Sequence, residues 1–373
     1  MLIGAEYFYQ LLCIGQIKLK TGTTILQRTR FGWVVTRKIY SPSQKVNNLC
    51  HLSRSTLENA VQRFWETEEL PTRKILSPEE EDCEKYYKQT LEKLSSGHYA
   101  VGLPFNTKKD ELGESYKTAL TRFQGLEKRL TTDAKLYEEY RSFLKEYENL
   151  GHMTRVEDTD KQNEYFLPHH AVVKNTSTTT RLRVVFDASA KTTSGVSLND
   201  TLLTGPVVQQ NLFSIVTRFR LHNIVFTADI KKMFRQVFIR KDDRQYQKIL
   251  WRNNPEEVIQ IYKLNAVTYG MSSSPYLATR TVQQVAADER QTFPEATDII
   301  TKDMYVDDLL TGAETVKRTQ TLKTQISGIL SRGGFNLRKW ASNHPQLNER
   351  SEQTTEEPIC FDFSDVHKTL GIL

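Results

Sequence analysis

Cysteine is scarce in this chain, and long apolar runs are absent. Its 373 residues include four cysteines, which form no Cys-x-x-Cys pair and have no zinc-like spacing to histidine. This pattern excludes the common structural zinc motifs and predicts reduced thiols in an intracellular protein. No segment approaches the roughly 18 to 20 apolar residues that a membrane helix needs.

The N-terminal stretch 1–15 is apolar, but it has no basic leader and no clear cleavage site. A secretory signal peptide has both, so we expect none here. We therefore predict a cytoplasmic protein without a membrane partner.

Charged and apolar residues are both plentiful. Hydrophobic residues make up 38% of the chain and charged residues 26%, which is enough apolar content to bury a core. The formal net charge is +6 and the sequence pI is about 8.9. This mild basic excess fits a nucleic-acid partner, although many soluble proteins share it. The length allows one large domain or roughly two to three smaller ones.

The first half of the chain changes from a β-pattern to a helical one. Residues 1–39 contain runs of β-forming residues at 25–29 and 31–35. Residues 40–55 are rich in Ser, Pro and Asn and are predicted to be a linker. The helical region 56–150 includes an apolar stripe (Leu57, Ala60, Val61, Phe64), a capping box of Ser77 and Glu80 around Pro78, a short strand at 98–104 and a helix at 136–150.

Strands and helices mix in the second half. The pattern predicts a hairpin from the runs 171–173 and 182–186, a strand at 224–229 and a strand–turn–strand at 299–311. It predicts helices at 206–221, at 275–289 with Ser274 as the cap, and at 315–332 with Gly333 and Gly334 as the stop.

Three aspartates lie at places suited to chemistry. Asp229 ends the predicted strand 224–229, where its carboxylate can face a cleft. Asp307 and Asp308 are adjacent between apolar runs, beside the bend of a predicted hairpin. Neighbouring carboxylates repel each other in a partly buried site, and a divalent cation removes that repulsion. Together the three could form a two-metal site for phosphoryl transfer, whereas an Asp-Asp pair taken alone is more typical of a solvated turn.

The segment Tyr305-Val306-Asp307-Asp308 resembles the Tyr-x-Asp-Asp box of reverse transcriptases. Other segments resemble further motifs of that family in the same order: 182–187 the fingers motif, 225–239 the first catalytic motif, 267–278 the nucleotide and template loop and helix, 334–339 the following motif, and 368–373 the start of the primer grip. The resemblance implies an α+β fold, the fingers and palm of a right-hand polymerase, with an antiparallel sheet backed by helices.

The same resemblance implies an RNA-directed DNA polymerase that binds a primed RNA or DNA template and deoxynucleotides. Its cofactor would be two Mg²⁺ ions, with Mn²⁺ as the alternative. Asp229, Asp307 and Asp308 would be catalytic and would bind metal together with the backbone carbonyl of Ile230. The nucleotide-binding residues would be Arg183, Lys174, Phe234, Tyr269, Gly270 and Lys339, and Leu370 and Gly371 would belong to the primer grip.

Some of these roles have a second interpretation. Phe234 would be a gate that clashes with a ribose 2′-OH, or a core aromatic. Arg183 suits the triphosphate because its guanidinium fork matches phosphate oxygens. Lys174 could be a solvated loop lysine, and Lys339 either a general acid or a surface lysine. Lys231, Lys232 and Arg235 are candidates for contact with the template or primer.

The upstream segments resemble Pao/BEL-type long-terminal-repeat retrotransposons. Residues 1–39 resemble the C-terminal part of an aspartic protease, 40–55 a linker, 56–150 a helical connecting region, and 151–373 the polymerase fingers and palm cut at the primer grip. No Asp-Thr-Gly or Asp-Ser-Gly occurs, so protease activity is not expected. We expect a polyprotein fragment, and its alternative function would be that of a non-catalytic remnant that binds nucleic acid through its basic surface.

Overall fold

The computed structural model describes residues 10–18, 25–30, 32–36, 76–156, 164–173, 181–347 and 359–360. The chain divides into two compact units, Met1–Ile75 and Leu76–Leu373. Several sequence-based predictions lie outside the described residues. They are the linker at 40–55, the apolar stripe at 57–64, Lys174, Leu370 and Gly371.

The first unit contains a three-stranded antiparallel sheet. Its strands are β1 (Leu12–Lys18), β2 (Ile25–Thr29) and β3 (Gly32–Thr36), in that spatial order. The predicted β-structure in 1–39 is confirmed for these segments.

The second unit is an α+β assembly. Its helices are α1 (Pro78–Thr90), α2 (Tyr116–Thr132), α3 (Ala134–Asn149), α4 (Leu212–Phe219), α5 (Ser274–Asp288), α6 (Pro294–Asp303) and α7 (Val316–Arg332). Its strands are β4 (Glu92–Lys93), β5 (Tyr99–Val101), β6 (Met153–Val156), β7 (His169–Val173), β8 (Leu182–Phe186), β9 (Ile224–Ile230), β10 (Val237–Ile239), β11 (Lys248–Trp251), β12 (Gln260–Leu264), β13 (Met304–Tyr305), β14 (Asp308–Ala313), β15 (Leu337–Ser342) and β16 (Ile359–Cys360).

The largest sheet has the order β13-β14-β9-β15-β16, and only β15 and β16 run parallel. Helices α4, α6 and α7 pack against its strands. Phe226, Ala228 and Ile230 alternate along β9 and are all buried, as the two-residue period of a strand requires. This strand therefore anchors the sheet in the core and carries Asp229 at its end.

Smaller sheets surround this one. β7 and β8 pair antiparallel, so the predicted hairpin strands are confirmed. The order β11-β12-β6 forms a second antiparallel sheet, and β10-β5-β4 a third in which β10 and β5 are parallel. The strand predicted at 98–104 corresponds to β5.

The predicted helix boundaries hold at three points. At α1, the Ser77 hydroxyl accepts from the Glu80 amide at 3.2 Å, and the Glu80 carboxylate accepts from the Ser77 amide at 2.9 Å, which completes the capping box. The helix predicted at 136–150 is α3. The helix predicted at 315–332 is α7, with Thr315 as its cap and Gly333 following it.

Three local predictions are wrong. Residues 206–211 are not helical: the helix begins at Leu212, where the Asn211 side chain accepts from the Phe213 amide at 2.8 Å. Residues 299–303 are the end of α6 rather than a strand, because tertiary packing overrides a short β-forming run. Ser274 is the first residue of α5 rather than its cap, since its hydroxyl donates to the Thr268 carbonyl at 2.5 Å.

None of the helices within the described ranges is long and apolar enough to cross a membrane.

Candidate active site

The three predicted carboxylates come from one end of the central strand pair. Asp308 lies opposite Asp229 in the register of β14 and β9, and Asp307 precedes it in the turn from β13. The Ile230 amide donates to the Asp307 carbonyl at 2.7 Å, which ties the turn to the end of β9. The structure thus brings Asp229 beside Asp307 and Asp308, which lie far from it in the sequence.

The turn between β13 and β14 is a constrained segment. Val306 has φ 55°, a left-handed conformation that is unfavourable for a β-branched residue. Its amide donates to the Gln209 side-chain oxygen at 2.9 Å. Gln209 lies in the non-helical segment before α4, and its side chain holds this turn from there.

The electrostatics of the turn are unfavourable for ionised carboxylates. Burial, followed by the charges of Asp307 and Asp229, raises the pKa of Asp308 to about 6. Burial also raises the pKa of Asp307, with Asp229 as the next cause. Asp229 therefore disfavours ionisation of Asp307, and both disfavour ionisation of Asp308, so a cation placed among them would relieve this cost.

Asp229 is paired with basic residues. The Arg338 guanidinium donates through Nε to Asp229 Oδ1 at 2.7 Å, and Lys339 Nζ lies 3.8 Å from Asp229 Oδ2. Arg338 is opposite Asp229 in the register of β15 and β9. Lys339 has φ 51° at an irregularity in this pairing between Arg338 and Ala341. The predicted Lys339 is therefore beside the carboxylates, and Arg338 was missed.

Within the described part of the chain, no three His, Cys, Asp or Glu side chains are close enough together to hold a metal ion. The donor chemistry nevertheless fits Mg²⁺, because carboxylate oxygens are its preferred protein ligands. Burial and the neighbouring carboxylates raise the pKa values of Asp307 and Asp308, and a divalent cation between them would offset that repulsion. Asp229 is paired with Arg338 and would have to exchange this partner to bind a cation.

The predicted nucleotide pocket has two aromatic side chains in contact. The rings of Phe234 and Tyr269 lie 4.8 Å apart between centroids, at an interplanar angle of 48°. Phe234 is half-buried against the core, and Tyr269 is exposed. Although 39% of the residue is exposed, partial burial of its hydroxyl raises the pKa of Tyr269. The charges that act on it are those of Arg235 and Arg183, which lower the pKa, and of Asp307 and Asp229, which raise it. The Tyr269 hydroxyl therefore lies within the electrostatic reach of both the carboxylates and Arg183.

Gly270 follows in a conformation that only glycine adopts readily. Its φ is +102°, and a Cβ at this position would lie 2.0 Å from the Phe186 carbonyl oxygen at the end of β8. The Asn199 side chain bonds this loop at two points, Gly270 and Ser272. The predicted Gly270 is thus needed for close backbone approach. Asn199 was missed, because no local pattern marks a long-range amide contact.

Arg183 is exposed on β8. Among the described residues it makes no hydrogen bond or ion pair, so its guanidinium is available for a ligand. Its influence on Tyr269 is the observation that connects it with the site.

Arg235 does not face a nucleic-acid surface. It is 6% exposed, its guanidinium carbon lies 4.2 Å from the centre of the Tyr147 ring, and Nη1 donates to Glu146 at 3.0 Å. Lys232 also pairs with Glu146. These two basic residues therefore attach the segment after β9 to α3. Because Arg235 is buried there, the contact with template or primer that the sequence suggested for it is wrong.

The comparison with known families bears on this site. Residues 171–340 match the family model described as reverse transcriptase (RNA-dependent DNA polymerase). That range contains every described side chain placed in the site above, from Arg183 to Lys339. No curated protein matches the chain.

Proposed function

Residues 171–340 are a reverse transcriptase domain, and from this premise we propose that the chain adds deoxynucleotides to a primer 3′-hydroxyl on an RNA template. The matched family model gives residues 171–340 the character of an RNA-directed DNA polymerase, a nucleotidyltransferase, by motif. The observation that carries the proposed site is the register of β9 and β14, which sets Asp229 opposite Asp308 beside the Asp307 turn.

The acidic residues would hold two divalent cations. Bound Mg²⁺ ions, or Mn²⁺ in their place, would stabilise charge on the attacking and leaving oxygens of the transferred phosphoryl group. Asp229, Asp307 and Asp308 would supply the carboxylates, with the Ile230 carbonyl as a further ligand. The closeness of the three carboxylates at one end of the β9–β14 pair supports this role, since burial and the neighbouring carboxylates raise the pKa values of Asp307 and Asp308.

Phe234 would select the sugar. Its ring packs against Tyr269 at 4.8 Å, so it cannot yield freely in that direction. A ribose 2′-hydroxyl placed against this ring would meet a steric barrier that a deoxyribose does not. Gly270 would let the nucleotide loop approach the end of β8.

Basic side chains would bind the triphosphate. Arg183 is exposed and within electrostatic reach of Tyr269, which supports a role at the phosphates. Lys174 would act from the same hairpin. Lys339, beside Asp229, would protonate the departing pyrophosphate as a general acid.

The wider context is also part of the proposal. The mixed sheet and helices would form the fingers and palm of a right-hand polymerase, with Leu370 and Gly371 in the primer grip. Residues 1–39 would be the remnant of an aspartic protease, and the source a Pao/BEL-type retrotransposon. The three-stranded sheet β1-β2-β3 is compatible with such a remnant. The protein would act in the cytoplasm.

Primer extension on an RNA template tests the activity. Wild-type protein with Mg²⁺ should extend the primer, and Asp307→Asn should lower the rate more than about 100-fold, since metal ligands matter at least as much as their supporting partners. Asp242→Asn is the control, because that side chain is 88% exposed and pairs only loosely with Arg240. Extension that survives Asp307→Asn would refute the assigned mechanism.

The same assay separates the polymerase from a non-catalytic binding remnant. Salt-dependent binding of a primed template should be measured beside extension. Binding without extension by the wild-type protein would favour the remnant.

A further inference from the structure

Asn199 is the residue at which two separate parts of the site are joined. It begins a 3-10 turn, Asn199–Thr201, after the loop that follows β8. Its backbone amide donates to the Ala188 carbonyl at 3.0 Å, and its side-chain Nδ2 donates to the Ser189 hydroxyl at 2.9 Å. These two bonds fix Asn199 to the chain that leaves β8.

The same side chain also holds the nucleotide loop. Its Nδ2 donates to the Gly270 carbonyl at 2.9 Å, and its Oδ1 accepts from the Ser272 amide at 2.8 Å. The amide group thus uses both of its donors and one acceptor position. An aspartate could reproduce the acceptor but neither donor, and a serine would be too short to reach both sides.

The joined segments are already in tight contact. A Cβ at Gly270 would lie 2.0 Å from the Phe186 carbonyl, so the loop backbone rests directly on the end of β8. A small displacement of Gly270 would open this contact, and the Asn199 bonds to Gly270 and Ser272 oppose that displacement. Close packing without a bond would leave the loop free to move away from β8.

Tyr269 is the residue whose position depends on the Asn199 bonds to Gly270 and Ser272. It precedes Gly270 directly, and its ring packs on Phe234 at 4.8 Å. Tyr269 is 39% exposed and lies outside the hydrophobic core, so the backbone at Gly270 is an important restraint on where its ring lies. A displaced Tyr269 would leave Phe234 room to move.

We propose that Asn199 is a positioning residue for sugar selection: by bonding Gly270 and Ser272 it holds Tyr269 against Phe234 and so keeps the pocket closed to a ribose 2′-hydroxyl. This inference rests on the proposed polymerase function. Asn199 acts through the loop and touches no substrate itself.

Asn199→Ala and Asn199→Asp test the role, with Asn106→Ala as the matched control. The Asn106 side chain donates to the Asp200 carbonyl at 2.9 Å, so it supports the same turn without touching the nucleotide loop. Single-nucleotide incorporation gives kcat/KM for a deoxynucleotide and for the matching ribonucleotide. Amide hydrogen exchange at Ser272 gives a readout that needs no activity.

Asn199→Ala should lower the ratio of deoxynucleotide to ribonucleotide kcat/KM about tenfold, the effect of losing one or two hydrogen bonds. It should also speed exchange at Ser272, while primer–template affinity stays unchanged. Asn199→Asp, which keeps the side-chain size, should lower the ratio at least as much because its carboxylate would face the Gly270 carbonyl. Asn106→Ala should leave both the ratio and the exchange at Ser272 unchanged.

Wild-type selectivity in either folded Asn199 variant would overturn the proposal, as would an equal loss in Asn106→Ala. If Asn199→Ala does not fold, the sugar selectivity and Ser272 exchange of Asn199→Asp test the proposal instead. If the wild-type protein does not extend primers, the proposed function fails. Hydrogen exchange then still tests whether Asn199 restrains the loop: unchanged exchange at Ser272 in both variants would overturn the proposal.

Discussion

The guanidinium of Arg338 donates through Nε to Asp229 Oδ1 at 2.7 Å, across the pairing of β15 and β9. The positive charge of Arg338 is thus paired with Asp229, a carboxylate that we propose binds metal. Within the described residues, neither Asp307 nor Asp308 makes an ion pair, and burial raises their pKa values. A divalent cation bound as proposed would therefore compete with Arg338 for Asp229 while it offsets the repulsion at the turn.

Replacement of Arg338 should strengthen metal binding. In Arg338→Gln the competing charge is lost while hydrogen bonding to Asp229 remains available, so we expect the Kd for Mg²⁺ to fall several-fold. Isothermal titration of the protein without nucleic acid measures it. The control is Arg318→Gln, which breaks a surface pair with Glu295. Unchanged or weaker binding in Arg338→Gln would show that Arg338 does not compete.

Removal of the Asp308 charge should stabilise the metal-free protein at neutral pH. Burial raises the pKa of Asp308 to about 6 from 3.8, so the folded state binds its proton more tightly than the unfolded state does. The free energy of unfolding therefore falls as pH rises from about 4 to about 6. After a discount for solvent screening, we expect Asp308→Asn to gain on the order of 1 kcal/mol at pH 7.

Urea unfolding in EDTA at pH 4 and pH 7 checks this stability effect. The gain in Asp308→Asn should be present at pH 7 and largely absent at pH 4, where Asp308 is already protonated. Added Mg²⁺ should narrow the difference, because it stabilises the wild-type carboxylates. Equal gains at both pH values would contradict the assigned cause.

Gly270→Ala should destabilise the protein. Its φ of +102° and the 2.0 Å contact with the Phe186 carbonyl leave no room for a methyl group. We expect a loss of about 2 to 4 kcal/mol, from backbone strain and overpacking together. Gly125→Ala in α2 is the control: nothing lies within 4 Å of an added Cβ, and we expect a gain of about 0.5 to 1 kcal/mol. Urea midpoints for both variants measure the contrast, and a tolerated Gly270→Ala would show that the loop does not rest on β8.

Phe234→Val should admit ribonucleotides. The shorter side chain would leave a gap beneath the sugar next to Tyr269, so the ratio of deoxynucleotide to ribonucleotide kcat/KM should fall by at least about tenfold. Phe238→Val is the control, because Phe238 is also half-buried but packs on His98 at 5.5 Å, away from Tyr269. Unchanged sugar discrimination in Phe234→Val would make it a core aromatic rather than a gate.

Local features of the sequence were predictable because short-range physics decides them. The Ser77 and Glu80 capping box forms through contacts between residues three apart. The strand predicted at 224–229 is found as β9, and the helix predicted at 315–332 is found as α7, Val316–Arg332, followed by Gly333. Errors arose at 206–211 and 299–303, where the partner segment decided the local structure.

The sequence by itself determined which residues we propose for the chemistry, namely Asp229, Asp307 and Asp308, because their identity and order match the motif. Only the tertiary structure decided what surrounds them. Arg338 meets Asp229 from 109 residues away, and Asn199 meets Gly270 from 71 residues away. Such pairs depend on sheet register and on packing between distant segments, and no local spacing in the chain encodes either.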